Sequence, residues 1–187
     1  VSFLFWGADF GNVQLAANQI LLQFLNVTAY ALDGFAAAAE SLVGQALGAK
    51  NVARLRRGAI LTSGWGAAIC AGLAVVFAAF GGTIIDIMTT APEVQDAARV
   101  YLPYMVAAPI VGVASWMFDG IFIGATRSRD MRNMMVVSAL AYFGAVIPLM
   151  WAFGNHGLWL GLLFSFVVRG VTLGWKYPAL EASARAA

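Results

Sequence analysis

The chain is 187 residues long, with 61% hydrophobic residues, only 11% charged residues and a net charge of +2. Soluble domains carry about 25% charged residues, and a mean hydropathy of +0.81 sets this chain apart from them. Such a composition excludes a disordered chain, a soluble enzyme domain and a nucleic-acid binder, and leaves a polytopic membrane protein.

An apolar stub, residues 1–8, opens the chain. It is shorter than the roughly 20 residues needed to cross a bilayer, has no signal-peptide pattern, and reads as the last part of a truncated helix. A polar break from Asp9 to Gln14 leads into the first long stretch, Leu15 to Gly48, and then into a basic turn, Ala49 to Arg57. Leu55 to Ile85 is a second span, rich in Ala and Gly, followed by a loop holding Asp86, Pro92, Glu93 and Asp96. Ala97 to Ala125 is a third, carrying Pro103 and Pro109 as candidate kinks or hinges. After the basic stretch Thr126 to Asn133 come Met131 to Phe153, with Pro148, and Leu158 to Trp175, separated by the turn Gly154 to Gly157. A small polar tail closes the chain. The bilayer core offers no water to satisfy a backbone, so each span is expected to be helical; the short alternating runs of barrel strands are missing. The expected fold is all-α, with five full spans and one truncated one.

Lys50, Arg54, Arg56, Arg57, Arg127, Arg129, Arg132, Lys176 and Arg185 fall on one side of the membrane, and Arg99 alone on the other. This bias places the basic turns and the C-terminus in the cytoplasm. Arg169 lies inside the last span and is expected to snorkel to the interface.

The span 15–48 carries the most chemistry. Gln19, Gln23, Asn26, Tyr30, Asp33 and Glu40, with Ala37 in register, recur at helical spacing and form one stripe. Facing lipid, such a stripe would be costly, so it lines either a transport pathway or a set of interhelical hydrogen bonds. Asp119 is a third intramembrane acid, able to exchange protons, hold a cation, or pair with a basic residue such as Arg127. Gly64, Ala68 and Gly72, and likewise Gly157, Gly161 and Ser165, are small residues at the spacing of close helix contacts. Cys70, alone among apolar neighbours, reads as a small buried hydrophobe, and the single His156 offers no zinc cluster. No nucleotide-binding loop or catalytic triad is present, so no cofactor is expected and the energy source is not nucleotide hydrolysis in this chain.

Leu15-Ala-Ala-Asn-Gln19, Leu32-Asp-Gly-Phe-Ala36, Ala39-Glu-Ser-Leu-Val-Gly-Gln45 and Gly48-Ala-Lys50 resemble the eighth helix of multidrug and toxic compound extrusion (MATE) transporters, the DinF-like branch above all. Phe118-Asp-Gly-Ile-Phe-Ile-Gly-Ala-Thr-Arg127 and Met131-Arg-Asn133 resemble the end of that branch's tenth helix and its loop. The resemblance covers the C-terminal half of such a protein. It implies a six-helix lobe of a twelve-helix transporter, an absent N-terminal lobe as partner, and antiport coupled to sodium or protons. The implied cargo is amphipathic or cationic drugs, exported across the inner membrane. In this branch the acid most associated with coupling lies in the N-terminal lobe, so no residue here inherits that role. Other branches place cation-binding acids in helices seven and ten, and Asp119 lies in the equivalent of helix ten. The alternatives are a flippase for lipid-linked oligosaccharides, whose cavity should be more cationic, and a non-transporting fragment or assembly subunit.

Overall fold

A computed structural model describes residues 2–7 and 10–186. Val1 and Ala8 of the stub and Asp9 of the first polar break lie outside the described residues, as does the side chain of Arg185. The described chain is helical: α1 (Ser2–Gly7), α2 (Asn12–Gly48), α3 (Val52–Met88), α4 (Pro92–Gly124), α5 (Ser128–Phe153) and α6 (Asn155–Ala186). Five of these, α2 to α6, are long and apolar enough to cross a membrane.

The helices begin before the apolar runs do, because their first turns are built from polar and capping residues. Asn51 caps α3 by accepting from the Arg54 backbone N–H at 2.9 Å, and Pro92 takes the first position of α4, where its missing N–H costs nothing. Most of the expected polar tail is a correction: α6 runs on through Pro178 to Ala186. Hydrophobicity ends with the bilayer, but tertiary packing continues, with Leu180 and Ala184 fully buried. Beside them Arg56 forks onto Glu181, Nε to Oε1 at 2.9 Å and Nη2 to Oε2 at 2.7 Å.

The turns α2–α3 and α4–α5 share one geometry. Asn51 and Arg127 each donate a backbone N–H five residues back, to Ala46 and Phe122, and Lys50 and Thr126 donate three back, to Leu47 and Ile123. This double bond pattern ends a helix with a left-handed residue, and Lys50 (φ 52°) and Thr126 (φ 56°) occupy it without being glycine. Both turns and the end of α6 lie at one end of the bundle, which is the basic end. The α3–α4 turn and Gly154 lie at the other.

α4 sits at the centre, packed against α2, α3 and α6, while α5 pairs mainly with α6. The crossing of α2 and α4 is very close. A methyl group on Gly124 would meet the Glu40 Cα at 2.7 Å, and one on Gly120 the Ala36 carbonyl carbon at 2.9 Å. These two glycines, at the spacing of small-residue contacts, let two backbones touch. Gly161 packs likewise against Val146 of α5, as expected from its spacing. Gly64 and Gly72 do not behave as expected: they have open space around them, and Gly66 instead faces α4, with Met117 Sδ 2.9 Å from its Cβ position. Spacing identifies a smooth helix face but not whether a neighbour approaches it. Cys70 is buried, 1% exposed, in the apolar cluster near the basic end.

Candidate functional site

The 3.6-residue period divides α2 into two faces. Leu21, Phe24, Leu32, Ala39, Val43 and Ala46 turn inward and are buried. Gln19, Gln23, Asn26, Tyr30, Asp33, Ala37 and Glu40 turn outward and are all exposed; Tyr30 keeps 74% of its surface open. The stripe is therefore one continuous open face, and among the described residues its side chains make no hydrogen bond to another helix. Its one internal bond joins neighbours, Asn26 Nδ2 donating to Gln23 Oε1 at 3.3 Å. Asp33 and Glu40 pair with no basic side chain among the described residues.

The interhelical hydrogen bonding that an amide-rich helix could provide is present, but it comes from the other face of α2. Asn18, fully buried, exchanges amide bonds with Asn155 of α6, 2.8 and 3.0 Å, and accepts from Trp159 Nε1 at 3.0 Å. Asn155 also donates to Gln14 Oε1 at 3.3 Å. These four bonds tie the start of α2 to the start of α6. Sequence reasoning passed over Asn18 although it stands beside Gln19; the only signal was that it lies off the stripe. Nearby, Tyr104 Oη and His156 Nδ1 are 3.0 Å apart.

Asp119 is not brought to the stripe. Gly120 beside it faces α2, whereas Asp119 turns toward α6, where Arg169 Nη2 meets Oδ2 at 2.7 Å. Arg169 therefore does not run out to the interface as expected: a carboxylate on the adjacent helix answers its charge inside the bundle, a cheaper solution than stretching through hydrocarbon. Arg127, the other basic residue considered for Asp119, pairs with Asp130 at 3.0 Å. Asp119 Oδ1, Arg169 Nε and Tyr142 Oη are buried with no hydrogen-bond partner among the described residues. A groove of about 360 Å³ between α5 and α6 is lined by Arg169, Tyr142, Ser138 and Ser165.

The two kinds of site differ chemically. The α2 face offers two uncompensated carboxylates, three amides and a phenol to whatever lies outside the chain. The Asp119–Arg169 pair is neutral overall and sits between helices.

Residues 1–152 match the MatE family profile. The chain is 41% identical over 175 residues to the DNA damage-inducible protein F of Escherichia coli, covering 91% of this chain and 37% of that protein. It is 27% identical to a probable multidrug resistance protein NorM of Pseudomonas putida, over 89% of this chain and 38% of the relative. Among solved structures, it superposes on the crystal structure of the eukaryotic MATE transporter AtDTX14 with a TM-score of 0.82 at 18% identity, over 93% of this chain and 41% of the other. The chain thus spans about two fifths of the length of these relatives.

Proposed function

The chain belongs to the MatE family, and from that premise we propose that it is one lobe of a multidrug and toxic compound exporter, with the outward face of α2 as a wall of the substrate path. One observation carries the reading. The long hydrophilic row on α2, Gln19 to Glu40, is open and left uncovered by the chain's other described helices. The second wall is then a lobe outside this chain, and rocking of one lobe against the other moves the path's opening from one side of the membrane to the other.

Charge selects the cargo. With Asp119 answered by Arg169, Asp33 and Glu40 leave the face net negative, which suits an amphipathic cation and disfavours the pyrophosphate of a lipid-linked sugar. The export is driven by sodium or protons, with no resident cofactor. The Asp119 carboxylate, bonded to Arg169 through Oδ2 and with Oδ1 buried and unpartnered among the described residues, is the group of this chain best placed to take a proton or a small cation in exchange for Arg169. The basic turns face the cytoplasm and the membrane is the inner one.

The test is Asp33→Asn in the complete transporter. Drug export should fall while membrane insertion and protein level stay unchanged; export at the wild-type rate would remove Asp33 from the path. Varying the sodium and proton gradients separately in the same vesicles identifies the coupling ion.

A further inference from the structure

Near the basic end, α3, α4 and α6 line a groove that is bridged at its mouth by Arg56 and Glu181. This trench begins at Arg56, Tyr177 and Glu181 with a pocket of about 490 Å³. It shares Ser63 and Phe118 with a further pocket of about 240 Å³ that reaches Ala67 and Ala114. At the mouth it shares Arg56 and Ile60 with a third, about 550 Å³, which includes Arg57. The first two adjoin along α3, α4 and α6, and the third is a hollow on α3 alone beside their mouth. From Arg56 to Ala67 the trench runs about 16 Å at about 1.5 Å per residue, the length of most of one acyl chain. Its walls are apolar or small, and Gly64 on the same face has nothing within 4 Å of its Cβ position.

The mouth is polar. Trp175 and Lys176, exposed on the same stretch of α6, are residues that favour the membrane–water interface, and Tyr177 at the mouth follows them directly. Arg56 and Arg57 line the mouth and are both exposed. Arg56 is taken by Glu181, while Arg57 forms no ion pair among the described residues. A cationic side chain beside an apolar trench is complementary to an anionic phospholipid, the phosphate at Arg57 and one chain in the groove.

We propose that the α3–α4–α6 trench is a binding site for an anionic phospholipid of the leaflet that contacts the basic turns, with Arg57 holding the phosphate and the Ser63–Ala67 segment holding an acyl chain. The site depends on the membrane reading alone and not on drug export, so either can fail without the other.

Native mass spectrometry of the detergent-purified protein, titrated with dioleoylphosphatidylglycerol or dioleoylphosphatidylcholine, tests it. The protein should retain the anionic lipid more tightly, and Arg57→Gln should cut the preference about fivefold, leaving phosphatidylcholine unaffected. Ala67→Phe, which plugs the trench and keeps Arg57, should weaken phosphatidylglycerol retention as well. Soluble glycerol phosphate should fail to displace the lipid. Equal retention of both lipids by the wild type would overturn the site. So would a preference undiminished in Arg57→Gln, or retention unchanged in Ala67→Phe. Displacement by glycerol phosphate at matching concentration would leave an anion site without a lipid and overturn the proposal as stated.

Discussion

The open face of α2 and the open faces of α3 and α5 have similar exposure and opposite chemistry. α3 shows Ile60, Trp65, Val75 and Phe80 to the outside, and α5 shows Val136, Leu140, Ile147 and Trp151; α2 shows amides, a phenol and carboxylates in the same position relative to the core. Exposure in a membrane protein therefore means two things. An apolar open face has lipid as its solvent, whereas a polar one needs water or another polypeptide, since hydrocarbon cannot solvate it. Burial by itself does not distinguish the two, but burial read with residue type does.

The largest expected effect separates an acid between helices from one on the open face. Asp119→Leu strands Arg169 and should cost about 3 kcal/mol, the lower end for a broken buried pair, because each side chain keeps about a fifth of its surface open. The double variant with Arg169→Leu should recover most of that, and Asp33→Leu should cost nothing measurable; melting curves in one detergent compare all three. Next comes a direct challenge to the lipid assignment. Leu140→Arg, near the middle of α5, should impair insertion by about 2.5 kcal/mol, read by glycosylation mapping of the inserted fraction, while Asn26→Arg on α2 should insert in the full transporter with much less loss. Equal losses at the two positions would break the comparison.

Two smaller effects sharpen it. Gly124→Ala pushes a methyl into the Glu40 backbone and should lower stability by about 2 kcal/mol, whereas Gly34→Ala, with nothing within 4 Å, should raise it by about 0.5 kcal/mol through helix propensity. Asn18→Leu, which leaves Asn155 and Trp159 without their bonds, should cost about 1 kcal/mol. Gln23→Leu on the open face should leave the melting temperature within error.

The order and number of long helices were legible because a helix crossing a bilayer must be apolar for most of its length, and that requirement is local. The stripe was legible for a similar reason: a fixed rotation per residue converts spacing into a face. The Gly120–Gly124 crossing was not, since Gly64 and Gly72 offered an equally good spacing and turned out to face open space. The amide cluster of Asn18 and Asn155 joins positions separated by 137 residues, and nothing local links them.

Sequence alone thus determined that this is a bundle of membrane helices with a basic end and one hydrophilic helix face, since hydropathy, charge placement and helical period are properties of the chain taken residue by residue. Only the tertiary structure decided that the hydrophilic face stays open, that Asp119 is matched by Arg169, and that α6 continues to Glu181 and completes the mouth of a trench with α3. Each of these depends on which helix lies beside which, and neighbours are chosen by the packing of whole faces against one another.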